Sequence, residues 1–413
     1  MHVAHAEPTG ARSILLLSLA GFFSSSAFRI CDPLLPQLAK EFGTSTGSAA
    51  YTITVFSIAY GSLQIFWGPV GDRFGKYRTA AFATFACAVG NIGAFFSESL
   101  TTLILCRAIA GATGGGIIPL ALAWIGDTTT YAERQQVVAR FLTGTILGIA
   151  CGQFIGGLFT DTLGWRWAFA MLAAGYLLVG ALLQQELRRT ARGARAGIAA
   201  VPATQRSFLS RAMAIVADRW SRIILTTVAI EGAILFGSLA FVPSALHAHF
   251  GISLTLAGGV VAGYGFGGVG YTLVARRLVD ALGERGLATG GGIVMLFAFA
   301  ALWLAPHWMI SAAACFAIGF GFYMLHNTLQ TNATQMAPTA RGIAVAMFAS
   351  AFFIGQSIGV ALGAIVVDRL GTDWLYVIAM VLLPVIAFAF ARLLATRPPH
   401  HFREPEDSAA SVD

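Results

Sequence analysis

Three observations predict an all-α polytopic membrane protein, with twelve transmembrane helices in two pseudo-symmetric six-helix bundles. First, hydrophobic residues make up 57% and charged residues 11% of the 413-residue chain, against about 45–50% and about 25% in soluble domains. The mean hydropathy is +0.74. Second, apolar runs recur that are long enough to cross a hydrocarbon core of about 30 Å at about 1.5 Å per residue. Third, the second half repeats the first. At one offset, 207 residues from Arg134 to Arg341, Gly148, Gly152 and Gly156 also fall on Gly355, Gly359 and Gly363. The same offset carries Asp161 onto Asp368, Gly164 onto Gly371 and Trp167 onto Trp374.

Taken in order, residues 1–12 form a short lead-in, and spans 1 to 6 are read at 13–36, 47–70, 79–97, 99–125, 137–160 and 165–187. Spans 7 to 12 follow at 221–245, 253–276, 287–305, 308–333, 341–367 and 373–395. The bundles are thus 13–187 and 221–395. Between them, 188–220 carries arginines 188, 189, 192, 195, 206 and 211, with Arg219 and Arg222 at its edge. It reads as a basic cytoplasmic linker that holds an amphipathic helix against anionic lipid. The tail 396–413 is polar, contains proline and acid, and is expected to be disordered. Met1–Cys31 resembles a cleaved leader, but removing it would leave eleven spans and break the repeat.

A net charge of +7 and a pI near 9.4 could suggest nucleic acid, but the placement of the charge argues against it. Of 26 lysines and arginines, Lys40, Arg166 and Arg369 alone fall in odd-numbered connections. Arg29 and Arg107 lie deep inside spans, and the rest occupy the termini, the even-numbered connections and the cytoplasmic edges of the spans. The positive-inside rule then puts both termini in the cytoplasm. The compact loops suggest a bacterial inner membrane, and a monomer whose partners are lipid and a small-molecule substrate. Cys31, Cys87, Cys106, Cys151 and Cys315 sit in apolar runs without paired spacing, and read as small buried residues.

Ionisable groups within spans each cost at least about 2.5–3.5 kcal/mol at the bilayer centre, so they mark function or pairing. Asp32 and Arg29 in span 1 and Arg107 in span 4 fall in the outer half of the first bundle. Asp32 can pair with either arginine, as a structural neutralisation or as a proton site tuned by the arginine. Two cations against one acid also allow a spare positive charge for an anionic substrate. Glu231, near the middle of span 7, has no cation at its depth in the second bundle. It is read as a carboxyl held protonated, as a second proton site or as a contact for a cationic compound. His326, Asn327 and Gln330 form a polar stripe on span 10 that either bonds a neighbouring helix or lines a cavity. His247 and His249 lack the third ligand of a metal site. Gly263, Gly265 and Gly268 match a dinucleotide fingerprint in letter only, because no strand precedes them. No nucleophile–base set, metal cluster or cofactor motif is present, so the chain is not read as an enzyme and no cofactor is expected.

The connection after span 2, Gly68–Thr79, reads GPVGDRFGKYRT. It holds Gly68, Gly71, Asp72, Arg73, Gly75, Lys76 and Arg78 in a short charged loop, with a faded copy at Asp280, Gly283 and Arg285. This stretch resembles the helix 2–3 signature of the major facilitator superfamily, G-x-L-x-D-R-x-G-[RK]-[RK], departing at Val70 and Tyr77. LILCRAIAGATGGG, from Leu103 to Gly116, resembles that family's helix 4 signature L-x-x-x-R-x-x-x-G. The aspartate of CDPLLP is similar to a helix 1 acid of its multidrug members. Gly148, Gly152, Gly156 and Gly157 resemble the antiporter signature G-x-x-x-G-P-x-x-G-G, but Gln153 stands where the proline belongs. The resemblance covers residues 13–395 and implies two halves that rock about a central site. Arg107 would then be associated with proton coupling, and the helix 2–3 loop would latch the cytoplasmic side through Asp72 and the start of span 11. Proton-coupled export of small organic or amphiphilic compounds is the leading expectation, along the line of the drug and sugar efflux permeases. An importer of organic anions is the alternative, motivated by Gln153 and the second arginine. A non-transporting membrane sensor is the third reading.

Overall fold

The computed structural model describes residues 10–193, 208–337 and 340–397. All regular elements among them are helical. Ten stretches are long and apolar enough to cross a membrane. One of them, Leu254–Trp303, is bent at Gly283 (φ 62°, ψ −179°) and supplies two spans. Lys76–Phe95, whose hydropathy is diluted by Arg78, Asn91 and four glycine or threonine positions, packs against spans 4 and 6 and completes twelve. Most of the linker centre and the tail beyond Arg397 lie outside the described residues. The linker's last part forms a helix, Phe208–Ala217, with Met213 and Val216 exposed and Ile215 buried.

Several helices outrun their apolar segments. Span 2 continues to Phe74 and span 3 begins at Lys76, so the expected loop shrinks to Gly75 (φ 89°). Hydropathy ends near Gly68, but charged side chains are compatible with helix once they reach water, and the helix stops only where a left-handed glycine turns it. The 8–9 connection does the same at Gly283. Span 1 is also longer than expected, running through Leu35–Glu41. Asp32 therefore lies nine residues, or about 13 Å, from its end, deeper than the sequence suggested. Three helix starts are capped by polar side chains: Ser45 accepts from Ser48 N, Ser253 from Leu256 N, and Asp218 from Ser221 N.

The repeat appears as packing. A Cβ at Gly148, Gly152 or Gly156 of span 5 would fall on the backbone of Phe22, Ser26 or Ile30 in span 1. Gly355, Gly359 and Gly363 of span 11 approach Ala229, Ala233 and Gly237 of span 7 in the same way. Small residues every fourth position let two backbones touch, which is how helices associate where the surroundings are as apolar as the side chains. One core lies around Trp124, Phe141, Trp165 and Phe169 of the first half and takes in Phe241 and Val360 of the second, and another lies around Phe299, Phe322 and Phe390. The halves meet along two seams, span 5 with span 8 and span 2 with span 11. The end of the bundle that carries residues 10 and 397 is called terminal below, and the opposite end distal.

Candidate transport site

Span 1 breaks where it carries its charges. Its first helix ends at Arg29, a 3₁₀ turn spans Asp32–Leu34, and helix resumes at Leu35. Pro33 has no N–H to continue the ladder, and irregular backbone at this depth is tolerated only inside protein or beside a cavity. The turn presents Asp32 to span 5. Its Oδ2 accepts from Arg29 Nη1 at 3.1 Å and from Gln153 Nε2 at 2.8 Å, with both partners buried. Oδ1 is buried with no partner. Gln153, at the position of the signature proline, is thus a hydrogen-bond donor to the carboxylate. Arg29 also reaches the other half, its guanidinium carbon lying 4.0 Å from the ring centroid of Phe236 in span 7.

Arg107 is used differently. Its Nη2 donates to Ala27 O at 2.8 Å and its Nε to Thr52 O at 3.3 Å, and its plane lies 3.9 Å from the Phe56 ring centroid. It staples spans 1, 2 and 4 through carbonyls and a π face, so the pairing of Asp32 falls to Arg29. Arg107 is the arginine left without a carboxylate among the described residues, and its Nη1 is buried with no partner.

In the second half, Glu231 is fully buried, and its Oε2 lies 2.8 Å from His326 Nδ1. The carboxyl expected to have no cation at its depth thus has an imidazole beside it. Oε1 has no partner. His326 stacks on Phe322 at 4.7 Å and faces Phe352 at 4.9 Å. Asn327 is half-buried and Gln330 exposed, so the stripe divides, and only His326 joins the carboxylate. Between the two clusters runs an aromatic seam that crosses the halves. Phe353 of span 11 meets Phe28 at 5.1 Å and Tyr60 at 4.7 Å, and Phe352 links it to Phe236 and His326.

At the terminal end, Asp72 is exposed (69% of its side chain) and pairs at 3.6 Å with Lys76, which also bonds Asp127 in span 4. Half-burial pulls the Lys76 ammonium down, but Asp127 and then Asp72 outweigh it and hold it above the usual lysine range. In this conformation the expected Asp72 contact with the start of span 11 is replaced by that pair. Gly71 packs on Leu120 while Gly68 faces open space, and Arg73 lies over Phe74. Arg78 is exposed, as are Asp280, Gly283 and Arg285 in the copied connection. There the bonds run through Glu284, which holds Arg397 at 3.1 Å alongside Asn332. Glu284 stands 208 residues after Lys76, so the repeat places an acid where the first half has a base.

At the distal end two aspartates cross the seams. Asp161, ending span 5, accepts from Thr255 N at 2.7 Å, Thr255 Oγ1 at 2.6 Å and Leu254 N at 3.3 Å. Asp368, ending span 11, accepts from Ser45 Oγ at 2.6 Å and Gly47 N at 3.0 Å. Their alignment at the repeat offset was the available signal. Nothing in the sequence pointed to Phe236, Glu284 or Arg397.

A model of the Major Facilitator Superfamily matches residues 17–342. The chain belongs to that superfamily. It is a multi-pass membrane protein, consistent with its long apolar helices. Over 361 residues it is 25% identical to the uncharacterized MFS-type transporter YwfA of Bacillus subtilis, covering 84% of each chain. It is 26% identical over 385 residues to puromycin resistance protein pur8 of Streptomyces alboniger, covering 79% of this chain and 76% of that one. Citrate exporter 1 of Aspergillus niger is 34% identical over 174 residues, 41% of this chain and 33% of the exporter. Fungal matches are partial, and the chain spans 24% to 33% of the length of several of these relatives.

Proposed function

We propose that the chain is a proton-coupled exporter of small organic or amphiphilic compounds that works by alternating access. The observation carrying this reading is the buried Asp32 carboxylate. One of its oxygens is shared by Arg29 and Gln153 and the other is free to take a proton. A carboxylate in this setting can exchange a proton for a rearrangement of Arg29, whose other neighbour, Phe236, belongs to the opposite half. Glu231 and His326 line the far side of the aromatic seam, where a planar or cationic compound would stack. The halves 13–187 and 221–395 are the rocking bodies, and the basic linker keeps both termini cytoplasmic in a monomer within a bacterial inner membrane. The resistance name of pur8 and the export named for the fungal relative support the outward direction. The organic-anion importer keeps one motive, Arg107, which has no carboxylate partner among the described residues and whose Nη1 is buried without a bond, while Gln153 is engaged by Asp32.

The test is proton flux in inside-out vesicles energised to an acid lumen, with cationic drugs, sugars and organic acids added in turn. Wild type is expected to release luminal protons on addition of a drug, and Asp32→Asn to release none. Flux that survives Asp32→Asn but not Glu231→Gln moves the proton site to span 7. A response to acids alone, with opposite sign, overturns export.

A further inference from the structure

The two distal aspartates share a geometry that the substrate site does not require. Asp161 stands at the end of span 5 and reaches the first backbone N–H groups of span 8, in the other half. Asp368 stands at the end of span 11 and reaches the start of span 2, again across the interface. The acceptors are related by the repeat offset of 207, and so, one residue further, are the helix starts they engage, whose N-caps are Ser45 and Ser253. A carboxylate at a helix N-terminus satisfies orphan N–H groups and meets the positive end of the dipole. Both helices already have a serine cap of their own, so the aspartates add acceptors from the opposite half. The backbones are pressed together at the same places. A Cβ on Gly157 would meet Leu254, and one on Gly47 would meet Ala364 and Asp368. Each aspartate is followed within three residues by a left-handed glycine that ends its helix, Gly164 (φ 97°) and Gly371 (φ 93°).

We infer that Asp161 and Asp368 are a two-fold clasp that holds the distal end of the transporter shut and must release for that end to open. The clasp complements the terminal end, where Asp72 is turned to Lys76 within its own half. It makes opening of the distal end a paired event, because both seams must part when one half rotates against the other. Both aspartates are exposed to the medium on that side, so the clasp can be broken and remade by water without burying a bare charge.

The inference rests on the alternating-access reading, but its test needs no substrate and no proton gradient, so the two can fail separately. Spin labels are placed at Leu163 and Leu304, exposed residues beside the distal connections of the two halves. The full chain, with its native cysteines replaced, is reconstituted in lipid nanodiscs, and the distance distribution is recorded by pulsed electron resonance. Wild type is expected to show mainly the short distance. Asp161→Ala and Asp368→Ala should each raise the ratio of long to short by roughly 2- to 30-fold, the range for losing an N-cap acceptor. The double variant should multiply the two ratios, because the seams are separate. Asp161→Asn and Asp368→Asn, which keep an acceptor oxygen but not the charge, should fall between wild type and alanine, and this grading guards against a variant that merely unfolds. An unchanged distribution in the double alanine variant, with monodisperse protein and an intact melting transition, overturns the clasp.

Discussion

Gly152→Ala tests whether the glycine faces carry the packing of each half. A Cβ there would lie 2.5 Å from Ser26 O and 2.8 Å from Ser26 Cα. Ordinary contact begins near 3.4 Å, so spans 1 and 5 must separate by roughly 0.6–0.9 Å or bend. Overpacking of a close-packed interface costs about 1–3 kcal/mol. Alanine recovers about 0.5–1 kcal/mol of helix propensity relative to glycine, leaving a net loss of about 0.5–2 kcal/mol. Gly68→Ala is the matched control, since its Cβ would meet nothing within 4 Å and only the propensity gain applies. At about 2–4 °C per kcal/mol for a body the size of one half, the two variants should differ in melting temperature by roughly 2–12 °C, with Gly152→Ala the lower. The assay is thermal unfolding of purified protein in detergent, followed by intrinsic fluorescence. Equal shifts in the two variants would refute the claim that span 5 is held by backbone contact.

Arg107→Met leaves the carbonyls of Ala27 and Thr52 without a donor, at about 1–3 kcal/mol each, and folded yield should drop sharply. Arg107→Lys, which cannot span both carbonyls and the Phe56 face, should rescue only part of it, read by size-exclusion profile. Phe236→Leu removes a buried cation–π contact of up to about 2 kcal/mol, whereas Phe236→Tyr keeps it. Transport at saturating substrate should fall in the first and persist in the second. For the terminal pair, Asp127→Asn should cost no more than about 1 kcal/mol. Because Lys76 sits above its usual range in the fold, the gain is complete below the unfolded value of about 10.4 and fades as pH rises through the folded value. The melting gap between wild type and variant should therefore be flat from about pH 6 to about pH 9 and close only above about pH 10.4.

The span count, the repeat and the four intramembrane ionisable residues were all legible, because each is a property of composition along one dimension. Partner choice was not. Whether Asp32 meets Arg29 or Arg107 depends on how far span 1 runs beyond its break and how it is rotated, and the apolar run ended five residues before the helix does. His326 and Glu231 are 95 residues apart, on helices whose facing sides are set by the crossing angle and by nothing in the local pattern. The 2–3 connection was misread as a loop for a related reason: hydropathy reports where lipid ends, while Gly75 decides where helix ends. Gln153 looked like a loss relative to the proline of the signature, and only its 2.8 Å bond to Asp32 shows what replaced it.

The bonds sort by strength according to whether they cross between the halves. Ion pairs and charge-assisted bonds of the buried site stay within one half: Arg29 and Gln153 with Asp32, Arg107 with its carbonyls, and His326 with Glu231. What crosses in the buried middle is aromatic and weak by comparison. It comprises the Phe28, Tyr60 and Phe353 contacts, Arg29 over Phe236, and a hydroxyl bond from Ser357 to Thr54 O. Aromatic pairs add about 0.5–1.5 kcal/mol each and can re-form against a stacked ligand, whereas separating a buried ion pair costs about 3–5 kcal/mol. Under the proposed alternating access, halves that part on every cycle could not carry the larger cost on their moving surface. The two aspartates at the distal end are the charged contacts that do cross, and they do so in reach of water, where release costs least. Among the described residues, Arg29 belongs to both classes, ion-paired in its own half and stacked on the other. It is therefore the group through which a change of charge at Asp32 would be felt across the interface.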